Sequence, residues 1–92
     1  MVIIFKFIKY LTDKLKVHHI QTFIETAGAK SLTGNWDWIC LSPKQQNPPT
    51  DEYYKKANEL KVIIYNDEDF RWAEEAASRV NSDCKLYLQS EW

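Results

Sequence analysis

Ser42-Pro43-Lys44 sets a hydroxyl, a rigid ring and an ammonium group directly after the apolar run "WDWICL". A serine hydroxyl both donates and accepts hydrogen bonds, and a lysine is a compact point charge. The proline between them fixes the backbone. Polar groups also stand where three other apolar runs stop, at Glu25-Thr26, Tyr65-Asn66 and Gln89-Ser90-Glu91. Three of these four ends carry groups that a buried strand would not need, which is a weak signal of a binding site at the strand ends. Strand ends are polar by default because loops face water, which is the plain alternative.

The other chemistry-bearing residues read as structure. His18 and His19 are adjacent, so their side chains diverge and mark a solvated element end rather than a metal pair. Asp67, Glu68 and Asp69 fall at a predicted helix start, where the helix dipole favours carboxylates. Glu74 and Glu75 read as a solvated face, Lys61 as a surface or ion-pair residue, and Tyr53, Tyr54 and Trp72 as packing residues. Cys40 and Cys84 belong to no CxxC or CxxxCxxC cluster and read as reduced structural thiols of a cytoplasmic protein. No catalytic constellation and no metal-ligand set stands out.

The elements that position these groups follow from periodicity. Residues 3–16 carry Ile4, Ile8, Leu11 and Leu15 at helical spacing, although the first few, β-branched or aromatic, equally suit a strand. "HIQTFIET" reads as a strand, and "AGAKSLTGN" as a loop with Gly28 and Gly34 as its flexible points. "WDWICLS" reads as a strand with Trp36, Trp38 and Cys40 on one face and Ile39 and Leu41 on the other. Both faces are largely apolar, as in a parallel strand covered on each side. Thr50 is the expected cap of a short helix with Tyr53, Ala57 and Leu60 as its inner stripe, followed by the strand "KVIIY". Asn66 or Asp67 is the expected cap of the next helix, with Phe70, Ala73, Ala77 and Val80 inward; "NSD" turns the chain into the strand "KLYLQ". Alternating strands and helices predict an α/β fold with a parallel sheet and crossover helices. In such sheets ligands sit at the carboxyl ends of the strands.

Size and charge set bounds. The chain has 92 residues, a formal net charge of −1 and four tryptophans. One small domain fits, burying about 65% of its unfolded surface. No basic run favours a nucleic-acid partner. The apolar start "MVIIFKFIKY" is too short to span a bilayer and is interrupted by Lys6 and Lys9, and it has no leader-like cleavage site, so no membrane role is expected.

The segments "ETAGA", "WDWICLSPK", "NELKVIIYND" and "KLYLQSEW" occur in order, and together they resemble the C-terminal half of 7-carboxy-7-deazaguanine synthase, a radical S-adenosylmethionine (SAM) family. The resemblance covers roughly residues 11–92; residues 1–10 read as a divergent or non-native start. It implies the later part of a partial βα barrel and conversion of 6-carboxy-5,6,7,8-tetrahydropterin to 7-carboxy-7-deazaguanine, in queuosine and 7-deazapurine biosynthesis. It also implies SAM, a [4Fe–4S] cluster and magnesium as cofactors, a small-molecule pterin substrate, and a homodimer or a complementing N-terminal half as partner. By resemblance, Ser42, Pro43, Lys44, Gln89, Ser90 and Glu91 face SAM, while Glu25, Thr26 and Gly28 are ligand-facing. Ser90 stands where the family usually has proline. Three cysteines in CxxxCxxC hold the family's cluster, and this sequence has two cysteines in all. The expectation is therefore a single partial domain, a fragment inactive alone, with either a split enzyme or a small αβ interaction module as the competing reading. An unpaired edge strand is expected in such a fragment.

Overall fold

The computed structural model describes residues 2–91, with side chains described for 8–91. In chain order the elements are α1 (Val2–Val17), β1 (Phe23–Thr26), β2 (Trp38–Leu41), α2 (Asp51–Lys56), β3 (Glu59–Ile64), α3 (Asp69–Arg79) and β4 (Lys85–Ser90). The four strands form one sheet in the order β1-β2-β3-β4, every pair parallel. This is the expected α/β arrangement with a parallel sheet. Among the described residues no helix is long and apolar enough to cross a membrane.

The start of the chain is helical. Ile8 and Leu15 of α1 are half-buried around the buried Thr12, while Leu11 is exposed, so the inward stripe passes through Thr12 and not Leu11. Ile4, also assigned to that stripe, lies outside the residues whose side chains are described. Thr12 belongs inside because its hydroxyl is satisfied twice: it donates to the carbonyls of Ile8 and Lys9, and it accepts the N–H of Asn35 at 2.8 Å. Beside it, Asp13 accepts the Asn35 amide and Lys16 pairs with Asp37. These bonds fasten α1 onto the β1–β2 connection, which has no helix of its own. The helix ends where the N–H of Ile20 bonds the Leu15 carbonyl and that of His19 bonds the Lys16 carbonyl, with His19 at φ 60. That is a Schellman ending with histidine in the left-handed position.

Register assigns the sheet faces, because paired residues of parallel strands share a side. Ile24, Ile39, Leu41, Leu60, Val62, Leu86 and Leu88 share one face; Glu25, Trp38, Cys40, Glu59, Lys61, Tyr87 and Gln89 share the other. The core forms where Ile39, Leu41, Leu60 and Val62 meet Tyr53, Tyr54 and Ala57 from α2 and its end and Ala73 and Ala76 from α3. Both crossover helices thus cover one face, over β2 and β3. β2 is buried on both faces, Cys40 at 3% exposed as well as Ile39 and Leu41, but the helices cover only the first. Its second face carries Trp38, whose indole donates to Glu59 at 2.6 Å, and the buried Cys40, beside an ion pair between Lys61 and Glu25 at 2.9 Å.

Several local expectations shift. β1 begins only at Phe23, because Thr22 is engaged by Asp37, whose carboxylate accepts both the Thr22 backbone N–H and its hydroxyl. Trp36 precedes β2, donates its indole N–H to the Thr33 carbonyl and packs against the helix-side core, not beside Trp38 and Cys40. Thr50 stands at the N-cap of α2 without capping; its hydroxyl is buried and without a partner among the described residues, and Asp51 and Glu52 alone meet the helix dipole. Leu60 reaches the core from β3, not from α2. Neither Asn66 nor Asp67 caps α3. Asn66 accepts the N–H of Glu68 in a local turn, and Asp69 is the first helical residue. Asp69 points inward, which rotates the helix so that Ala73 and Ala76 are buried, Trp72, Ala77 and Val80 are half-buried, and Phe70 is 47% exposed. The "NSD" turn is as expected: the Asn81 amide donates to the carbonyls of Lys55 and Ala57, and its oxygen accepts the N–H of Asp83.

Candidate functional site

All-parallel pairing gathers the carboxyl ends of the four strands along one edge of the sheet. At that edge the Ser42 N–H bonds the Thr26 carbonyl at 2.8 Å, joining the ends of β1 and β2. Ser42 is only 5% exposed and Pro43 is also buried, so the corner is rigid. Lys44 is exposed, and its ammonium donates to the Ser42 hydroxyl at 3.4 Å. The chain then turns tightly, with the Asn47 N–H bonded to the Lys44 carbonyl.

Asp69 organises the neighbouring corner. One carboxylate oxygen accepts the backbone N–H groups of Tyr65 (2.8 Å) and Asn66 (3.2 Å), where β3 ends. The other accepts the side-chain amide of Gln45 at 3.0 Å. One buried carboxylate, 8% exposed, therefore ties the loop after β2 to the loop after β3. Between these loops lies a cavity of about 340 Å³, walled by Pro43, Lys44, Ile63, Tyr65, Asn66 and Trp72 among others. It offers a cation, amide donors and acceptors, and apolar and aromatic walls, which suits a polar ligand with a flat or aliphatic part.

The sequence-assigned residues are brought together unevenly. Pro43 and Lys44 line the cavity, and Ser42 holds Lys44 from behind. Gln89 is the register partner of the wall residue Ile63 and Ser90 that of Ile64, on opposite faces of β4, and neither lines the cavity; Glu91 follows, its N–H bonded to the Ile64 carbonyl. Ser90 is the last residue of β4, one beyond the expected strand "KLYLQ". Glu25 does not line the cavity and is engaged by Lys61, whose ammonium this hydrogen bond holds above its ordinary pKa. Thr26 turns its hydroxyl to the N–H of Gly28. Gly28 itself, at φ +69, has Leu41, Tyr53 and Pro49 pressed against it, so the close approach it permits is taken by the protein's own side chains. Gln45 and Asp69 were missed as site residues. Asp69 was visible as an acid at a strand-to-helix corner, but nothing in the sequence showed that it faces backwards to the loop rather than forwards to the helix.

The thiols do not resemble cluster ligands. Burial pushes both Cys40 and Cys84 above the ordinary thiol pKa, with Glu59 adding to each. A cluster ligand is a thiolate, and three are needed. Among the described residues no group of three or more His, Cys, Asp or Glu is placed to hold a metal. The residues of this chain do not fit an iron–sulfur cluster.

Sequence comparison bears on what this edge serves. Over 82 residues the chain is 56% identical to a protein of Flavobacterium psychrophilum and 50% identical to one of Synechocystis, each alignment covering 89% of this chain. The resemblance is to 7-carboxy-7-deazaguanine synthase. A synthase of that name from Burkholderia multivorans is 40% identical over 57 residues, 62% of this chain and 26% of its own length. The chain spans about two fifths of the length of the Flavobacterium and Synechocystis synthases, 39% in each case. No family model matches, and no solved structure matches.

Proposed function

We propose that this chain is the SAM-facing part of a 7-carboxy-7-deazaguanine synthase, forming later strands of its partial radical-SAM βα barrel. The observation that carries this reading is the identity of 50–56% to two such synthases across 89% of the chain. The geometry supports it: Pro43 and Lys44 line the cavity at the carboxyl edge of a parallel sheet, where ligands of such folds sit, and Ser42 stands behind Lys44. SAM carries a carboxylate, an ammonium, a ribose and an aromatic base. Lys44 would meet an anionic or ring oxygen, Ser42 would orient Lys44, and Gln45 and Asn66 would supply neutral donors and acceptors. Glu91 and Gln89, at the end of β4, complete the proposed edge. Cluster, magnesium and most pterin contacts belong to a part of the synthase outside this sequence, and the residues present fit none of the cluster's needs. The chain alone is proposed to bind without catalysing, in the cytoplasm, with a complementing N-terminal half as partner.

Two measurements test this. Titrating SAM into isotopically labelled chain should shift the amide resonances of Ser42, Lys44, Gln45 and Asn66, and Lys44→Ala should weaken the response. A folded chain in which these amides do not respond to SAM refutes the site. Incubation with iron, sulfide, reductant and SAM should give no 5′-deoxyadenosine above a blank; formation of that product refutes the non-catalytic reading.

A further inference from the structure

The amide of Gln45 is oriented by what holds it. Its Nε2 donates to Asp69 Oδ1 at 3.0 Å. A carboxylate only accepts, so Gln45 must turn its NH2 toward Asp69 and leave Oε1 outward. Asp69 cannot turn in response. Its Oδ2 is taken by the N–H groups of Tyr65 and Asn66, and the residue is buried. Gln45 is exposed and lines the cavity, and its Oε1 has no hydrogen-bond partner among the described residues. Asn66 is fixed in the opposite sense. Its Oδ1 accepts the N–H of Glu68 at 3.0 Å, so its Nδ2 is the group left for the same cavity. The wall therefore presents an acceptor from one loop and a donor from the next, beside the half-buried indole of Trp72.

We infer that Asp69 is a positioning residue for ligand choice: by holding Gln45 with its carbonyl outward, it selects aromatic heterocycles that carry an exocyclic amine over those with a carbonyl oxygen in its place. The amine donates to Gln45 Oε1, a ring nitrogen accepts from Asn66 Nδ2, and the ring lies against Trp72. A ligand with a carbonyl there sets two oxygens against each other and leaves both unpaired. The adenine of SAM and a pterin ring both carry such an amine. The inference rests on the proposed reading in taking this cavity as a ligand site, but not on which of the two rings occupies it.

The test is titration of the isotopically labelled full chain with two matched pairs, adenosine against inosine and 6-carboxypterin against 6-carboxylumazine, read at the amides of Lys44, Gln45 and Asn66. In each pair the second compound has a carbonyl where the first has an amine. The amine member of at least one pair should bind about five-fold tighter, the usual net effect of one hydrogen bond. Asp69→Asn should reverse this. Its oxygen must still face the Tyr65 and Asn66 N–H groups, so its new NH2 faces Gln45, whose amide turns over and shows a donor to the cavity. The local hydrogen bonds are kept, yet preference should move toward the carbonyl member by about five-fold or more. Adding Gln45→Glu, which only accepts, should restore preference for the amine. Gln45→Met, a change at an exposed position, should abolish the discrimination without touching the buried Asp69. Binding of 6-carboxypterin but not adenosine supports the inference while refuting the SAM assignment. Binding without discrimination overturns the inference and leaves the ligand site standing. So does an Asp69→Asn or Gln45→Met chain that keeps the parent's preference. A folded chain that binds none of the four compounds overturns both.

Discussion

Gly28→Ala should be among the most damaging single-methyl additions in this chain. Two effects combine. At φ +69 an L-residue sits in the left-handed region, at a penalty of about 1–2 kcal/mol. The new Cβ would also lie 2.6 Å from Leu41 Cδ1, 3.1 Å from Tyr53 Cγ and 3.3 Å from Pro49 Cβ. Carbon atoms prefer about 3.5–4.0 Å, so Leu41 must retreat by roughly 1 Å. Leu41 is 0% exposed and has nowhere to go, and overpacking of this kind costs about 1–3 kcal/mol. The smaller unfolded-state entropy of alanine returns about 0.4–1 kcal/mol. The net loss is about 2–4 kcal/mol, or a fall in Tm of roughly 10–25 °C for a domain of this size. Thermal and urea unfolding followed by far-UV circular dichroism measure it. Gly34→Ala is the internal comparison: at φ +87 its Cβ meets Ile8 Cγ2 and Trp36 Nε1 at 2.9 Å, and these side chains are only half-buried where Leu41 is wholly buried, so its loss should be smaller. Shortening Leu41 to valine in the Gly28→Ala background should recover part of the loss relative to Leu41→Val alone. A Gly28→Ala protein within about 0.5 kcal/mol of the parent, the usual range for an inconsequential surface change, refutes the reasoning.

Three further outcomes follow from other observations. His19→Gly should stabilise the chain by about 0.5–1 kcal/mol in urea unfolding, because glycine relieves the left-handed residue that ends α1. Lys16 and the Thr22 N–H hold the Asp37 carboxyl below its ordinary pKa, and Lys9 and Asn35 do the same for Asp13. Between the lowered folded pKa and the unfolded value the unfolded chain binds more protons, so this stability is present above the unfolded pKa and is lost as pH falls through the folded one. Asp37→Asn should flatten the acid limb of a Tm-versus-pH profile. Cys40 and Cys84, both raised by burial, should alkylate with iodoacetamide near pH 8 more slowly than free cysteine in native buffer and at the free rate in urea.

The sequence was legible where one signal dominated. Apolar runs separated by capped, amphipathic stretches announced parallel strands with crossovers, and the sheet of β1–β4 follows them. Element edges were less legible because side chains there answered to distant partners. Thr22 leaves the strand pattern because of Asp37, fifteen residues on. Phe70 looks like the first inward residue of α3, yet Asp69 takes that place by bonding backward to Tyr65, Asn66 and Gln45. Of the candidate site, the Ser42-Pro43-Lys44 corner could be read locally. The role of Gln45 and Asp69 could not, since it arises from contact between two loops that are 24 positions apart. The uncovered faces of β4 were also hidden: "KLYLQ" reads only as a strand, and the position of α2 and α3 shows that its leucines are bare.

The union of α1 with the β1–β2 connection has a consequence for how the molecule breathes. β2 and β3 lie inside the sheet and under two helices, whereas β1 is an edge held by four residues of pairing and by a connection whose Asn35 amide depends on Thr12. Fraying of α1 would release Asn35, Asp37 and Thr22 in one event, since their bonds form one chain. Native-state amide exchange should therefore show α1, the connection and β1 opening together as one cooperative unit, well before the amides of β3.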